Sequence, residues 1–130
     1  MRVLIVSNEH GFSHLMRTLL EDLNVNVRCS PLTAAAVSFA ERIRPGLVIL
    51  DLIPGQETAS WLILEALKAR AATRQTPILL CPAAPWLAEE HVGRLATHGV
   101  ATWTDAFDLR DLLGKVQHAF EVQSLVTNTA

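Results

Sequence analysis

Charge is scarce in this chain, and long apolar runs are missing. Of its 130 residues only 18% are charged while half are hydrophobic, a balance that excludes a disordered polar segment. No apolar run reaches the length of a bilayer span, and Met1-Arg2 leads into a short strand rather than a signal peptide. A membrane is therefore not an expected partner, and the expected location is cytoplasmic. The formal charge is −2 and the 11 basic residues are scattered. Nucleic acid needs clustered lysine and arginine, so it is not an expected partner either. Two cysteines, Cys29 and Cys81, are too few for a disulfide scaffold. Glycine-rich phosphate cradles are missing too: no Gly-x-Gly-x-x-Gly or Walker-type pattern occurs, and the exit of the first strand offers only Gly11.

What is present is an alternation of apolar strands and amphipathic helices. Arg2 to Val6 reads as a strand, with Ser7-Asn8-Glu9-His10-Gly11 as its polar exit. Phe12, Leu15, Met16, Leu19, Leu20 and Leu23 recur at helical spacing. Val25 to Cys29 predicts a second strand. After Ser30-Pro31, Thr33 is placed to cap a helix that turns Ala36, Val37, Ala40 and Ile43 inward. Pro45-Gly46 ends that helix. Trp61, Leu64 and Leu67 mark a third helix, with Lys68 and Arg70 near its end as the macrodipole prefers. Pro77 to Cys81 predicts a fourth strand, Trp86 to His98 a fourth helix and Val100 to Trp103 a short fifth strand. Asp108 is placed to cap a last helix carrying Leu109, Leu112, Leu113, Val116 and Phe120 inward. Residues 1–123 are expected to form one domain, and 124–130 a flexible tail.

Five strands alternating with five helices imply parallel βαβ units with right-handed crossovers, hence an α/β doubly wound fold of three layers. The expected strand order is 2-1-3-4-5. The exits of the first and third strands then flank the switch point, where open α/β sheets collect ligands. Pro45-Gly46-Leu47-Val48-Ile49-Leu50-Asp51-Leu52 supplies the central strand, apolar throughout as a sheet covered on both faces requires, and ending in a carboxylate. Ser7, Asn8 and Asp51 are expected to converge. In the same order, Cys29 and Cys81 lie three strands apart, roughly 14 Å at ordinary strand spacing, too far for a disulfide.

Over nearly its whole length the chain resembles a receiver domain of a two-component response regulator, a flavodoxin-like fold. The resemblance is carried by Val3-Leu4-Ile5-Val6-Ser7-Asn8-Glu9, by Pro45 to Leu52, and by Thr76-Pro77-Ile78-Leu79-Leu80. Gly99-Val100-Ala101 with Trp103, and Phe107-Asp108-Leu109 with Leu112-Leu113, complete it. It implies a phosphorelay module whose partner is a histidine kinase or other signalling protein. It also implies a possible homodimer through the fourth helix, fifth strand and fifth helix, where Arg94, Arg110, Lys115 and Glu121 are the polar candidates. No enzymatic activity is implied. In such domains an acid pair after strand one and an aspartate after strand three hold Mg²⁺, and the aspartate accepts a phosphoryl group. A hydroxyl after strand four and a lysine after strand five bind that group.

The resemblance places the phosphoacceptor at Asp51, but the rest of the pocket departs from it. The acid pair falls on Ser7 and Asn8, with Glu9 one position late. The hydroxyl position falls on Pro82, which has no side-chain or backbone donor. The lysine position falls on Asp105 or Ala106. The proline of the loop after Asp51 comes one residue early, at Pro54. Phosphoryl transfer depends on positioning and on cations that neutralise developing charge, and Mg²⁺ selects hard carboxylate oxygens. A degraded Mg²⁺ site and weak or absent phosphorylation are therefore expected. With Pro82 replacing the hydroxyl, Trp103, at the aromatic switch position, is expected to stay in one rotamer.

Asp51 is most simply a remnant acid at a strand end. Trp61, Trp86 and Trp103 are more often packing residues than interface anchors, although Trp86 behind Pro85 is expected to be partly exposed. Glu9, His10 and His14 form too small a donor set for zinc, and His91, His98 and His118 have no partner pattern. Cys81 reads as a buried filler. The alternative function is a flavodoxin-like small-molecule or nucleotide-binding protein or enzyme that shares only the fold.

Overall fold

The computed structural model describes residues 2–82, 100–102, 110–111 and 114–118. The elements in order are β1 (Arg2–Val6), α1 (His10–Glu21), β2 (Asn26–Ser30), α2 (Ala35–Ile43), β3 (Leu47–Leu52), α3 (Glu57–Ala69), β4 (Ile78–Pro82) and β5 (Ala101–Thr102). All pairings are parallel, and the order is β2-β1-β3-β4-β5, as expected from the alternation of strand and helix. Residues 110–111 and 114–118 are helical, inside the expected last helix. The expected fourth helix lies outside the described residues, as do Trp103, Asp105, Ala106 and the 124–130 tail.

Strand periodicity sorts the core into two layers, because successive side chains point to opposite faces. Val3, Ile5, Leu47, Ile49, Leu79 and Cys81 face α1, packing with Met16, Leu20 and Val116 of the last helical stretch. Leu4, Val6, Val48, Leu50, Leu52, Ile78 and Leu80 face α2 and α3, meeting Val37, Ala40, Trp61, Leu64 and Leu67. Every residue of β3 is buried, which is why its sequence, Asp51 apart, is apolar rather than alternating.

Several local expectations need correction. Helical spacing puts Leu15 on the apolar stripe of α1, but it is 51% exposed; Met16 and Leu20 fill the space against the sheet and leave Leu15 on the flank. Leu23 lies past the end of α1 and is also exposed. Thr33 does not cap α2. The helix begins after Ala34 with no side-chain cap, and the Thr33 carbonyl instead accepts from the Ala36 N–H at 3.0 Å. β2 and β4 each begin and end one residue later than expected, so Pro82 closes β4 opposite Leu52 rather than following it.

α2 stops as Pro45 demands. A residue before proline is disfavoured in the helical region, and Arg44 takes the left-handed conformation at φ 47°. Its N–H donates to the Ala40 carbonyl at 2.9 Å, and Arg2 Nη1 donates to the Ile43 carbonyl at 2.9 Å. The chain thus enters β3 in a fixed direction, which aims Asp51 at the crevice.

Candidate functional site

Periodicity brings the site together. Ser7 follows Val3 and Ile5 on the α1 side of the sheet, and Asp51 follows Leu47 and Ile49 on the same side. β1 and β3 pair in a register that matches Val6 with Leu50, so the next residues, Ser7 and Asp51, meet at the carboxyl edge. The Ser7 hydroxyl donates to Asp51 Oδ2 at 2.8 Å. Both residues are buried, Asp51 being only 3% exposed. Ser7 Oγ in turn accepts from the Glu9 N–H at 2.9 Å, and the Ser7 N–H donates to the Ser30 carbonyl at 3.0 Å. Ser7 is held from three sides.

Asn8 behaves differently. Its Oδ1 accepts from the Leu32 N–H at 2.9 Å, and its Nδ2 donates to Gln56 Oε1 at 3.2 Å. The amide therefore spans the loops after β2 and β3 rather than contacting the Asp51 carboxylate. Glu9 is exposed, but its charge reaches Asp51.

Burial pushes the Asp51 carboxyl above its ordinary range. The hydrogen bond from Ser7 and the Leu52 N–H pull it back, and the Glu9 charge raises it again; the net direction is upward. Cys81 sits opposite Asp51 in the β3–β4 register. Burial and the neighbouring carboxylate push its thiol up, so it is no thiolate nucleophile at neutral pH. Both cysteines are free, Cys29 exposed and Cys81 buried.

Ser60 is a site residue that sequence reasoning missed. Its hydroxyl donates to the Asp51 carbonyl at 2.7 Å from within α3 and lies 3.4 Å from the Gln56 carbonyl. The available signal was spacing: Ser60, Leu64 and Leu67 share one helical face, so a hydroxyl at the head of that stripe had to meet the end of a strand. Between β3 and α3 the loop turns at Gly55, whose φ of 86° suits glycine.

Solved structures share this architecture. A sensor protein from Polaromonas superposes with a TM-score of 0.79 at 20% identity, covering 94% of this chain and 97% of its own. The BeF3-activated N-terminal receiver domain of RstA from Klebsiella pneumoniae gives 0.76 at 20% identity, covering 92% and 98%. The receiver domain of a sensor histidine kinase from Pseudomonas aeruginosa, described with a magnesium ion coordinated in its active-site cleft, gives 0.74 at 20% identity, covering 92% and 97%. The fold is that of a receiver domain. No protein-family model matches the sequence, and no curated protein matches it.

The receiver fold raises the question of Mg²⁺, and the side chains at this edge do not fit it. Mg²⁺ needs near-octahedral oxygen donors, usually with more than one carboxylate or phosphate. Here Ser7 turns its proton toward Asp51, and the Asn8 carbonyl oxygen is taken by the Leu32 N–H. Among the described residues one buried carboxylate remains, Asp51. Among the described residues no group of three or more His, Cys, Asp or Glu can hold a metal ion, so Glu9, His10 and His14 form no such set. Pro82 supplies no hydroxyl at the end of β4. Also among the described residues, no helix is long and apolar enough to cross a membrane.

Proposed function

We propose that this chain is a receiver module of a two-component phosphorelay, an atypical one that takes up phosphate at Asp51 weakly or not at all and signals through protein contacts. The observation carrying this reading is the 2.8 Å hydrogen bond from Ser7 to Asp51, made by a hydroxyl at a position where the receiver resemblance expects a metal-binding acid. A phosphoacceptor needs a free, ionised carboxylate with cations around it. Asp51 is buried, and its carboxylate already accepts the Ser7 hydroxyl. In this reading Ser7, Asn8 and Glu9 are the degenerate acid positions, Pro82 is the lost hydroxyl and Asp51 the remnant acceptor. The module itself performs no catalysis.

Its proposed partner is a histidine kinase or another signalling protein. A second copy is proposed to dock through the fourth helix, fifth strand and fifth helix. Of that face the described residues include Arg110, which is exposed, and Lys115, whose Nζ lies 2.6 Å from Asp111 Oδ1.

Intact mass spectrometry after incubation with Mg²⁺ and acetyl phosphate tests the reading. At most a minor, substoichiometric adduct is expected on the wild type. Stoichiometric gain of one phosphoryl group, lost in Asp51→Asn, overturns it.

A further inference from the structure

Beside the Ser7–Asp51 pair, on the outer flank between α1 and the edge strand β2, lies a cavity of about 620 Å³. This is within the range of small-molecule sites. Its walls are His10, Ser13, His14 and Arg17 from α1, with Cys29 and Ser30 from β2; Ser7 and Asn8 form the end nearest the sheet edge. His10, His14 and Arg17 are spaced four and three residues apart, which puts them in a row on one helix face. Arg17 Nη2 donates to Cys29 Sγ at 3.5 Å, which directs the guanidinium across the cavity toward β2.

The chemistry of this lining is one-sided. It contains a guanidinium, two imidazoles and three serine hydroxyls, and no carboxylate. The nearby acids stand at the ends of the row. Glu9 precedes α1, and Glu21 lies 3.7 Å from Arg17 Nε in an exposed pair that solvent weakens. Arginine offers five donors in a planar fork that matches phosphate oxygens, and an imidazole can donate even when neutral. The Ser7 and Ser30 hydroxyl protons are already given to Asp51 and the Pro31 carbonyl, which leaves Arg17, His10, His14 and Ser13 as donors suited to a small oxyanion. A metal ion is not suited to it, because no metal-binding group exists among the described residues.

We propose that this cavity binds a small phosphate-bearing molecule, with Arg17 as the principal anchor and His10 and His14 as supporting donors. This site is separate from the Asp51 position and does not depend on the phosphorelay reading, although Ser7 and Asn8 border both. A ligand here needs no metal and forms no covalent bond.

Amide chemical-shift titration with inorganic pyrophosphate tests the proposal. Saturable shifts at His10, His14, Arg17 and Cys29 are expected. Arg17→Gln should weaken binding roughly tenfold or more, as loss of a charge-assisted contact does. Arg17 is exposed, so the variant should fold. Arg70→Gln, the same charge change on the remote α2–α3 side, should keep the wild-type affinity. Three results would each overturn the proposal: no saturation at millimolar pyrophosphate, equal weakening by both variants, or the same shifts from sodium chloride of matched ionic strength.

Discussion

The Ser7 hydroxyl and the Asp51 carboxylate form a buried 2.8 Å hydrogen bond across the β1–β3 pair. An acid sealed at a strand end in this way depends on Ser7, its one side-chain donor among the described residues. Ser7→Ala removes that donor and leaves the Glu9 N–H without its 2.9 Å acceptor. Leaving a buried acceptor unsatisfied costs about 1–3 kcal/mol, so the urea midpoint at neutral pH should fall accordingly. An unchanged midpoint would mean that water replaces the hydroxyl without penalty.

The pH dependence follows from the direction of the Asp51 shift. A carboxyl whose pKa is higher in the folded state than its ordinary 3.8 holds its proton more tightly when folded. Stability contributed by this group therefore falls as pH rises through the window between those two values, and the deficit is complete above it. Asp51→Asn cannot ionise, so it should unfold at higher urea than the wild type at neutral pH. The gap should close near pH 3. Urea midpoints across that range would decide it, and a variant less stable than the wild type at neutral pH would refute the upward shift.

The fold was legible because three strands announce themselves. β1, β3 and β4 are compact apolar runs bounded by polar or proline-containing stretches, and only a sheet covered on both sides hides so many consecutive side chains. The meeting of Ser7 with Asp51 could also be anticipated, since strand order and period two fix it. Asn8 could not be placed so closely. Its partners, the Leu32 N–H and Gln56, depend on loop paths that periodicity does not describe. Leu15 misled because a leucine at helical spacing looks the same whether the sheet or water lies beside it, and Thr33 because a good capping residue does not ensure that the helix starts beside it.

Rebuilding the acid pair should create the missing metal site. Ser7→Asp with Asn8→Asp places one new carboxylate against Asp51 and a second at the adjoining loop position, where close like charges repel and desolvation penalises them. In EDTA the double variant should lose several kcal/mol of stability, and Mg²⁺ should restore most of it. Calorimetric titration should show a Mg²⁺ heat for the variant and none for the wild type. Heat in both would mean that the native residues already suffice.

Ser60 anchors α3 to the strand that carries Asp51, through its 2.7 Å bond to the Asp51 carbonyl. Ser60→Ala should cost about 1–3 kcal/mol and speed amide exchange in the loop at residues 53–56, while β1 exchange stays slow. Uniform acceleration across the sheet would instead indicate global loss of stability with no local anchoring.

The two bonds of Asn8 tie the segment following β2 to the residue that precedes α3. Neither bond passes through the acid. Any contact that displaces one of these segments therefore stretches a strut fixed to the other, and force travels sideways along the rim of the sheet. Mechanical strain can cross this crevice even when no charge in it changes.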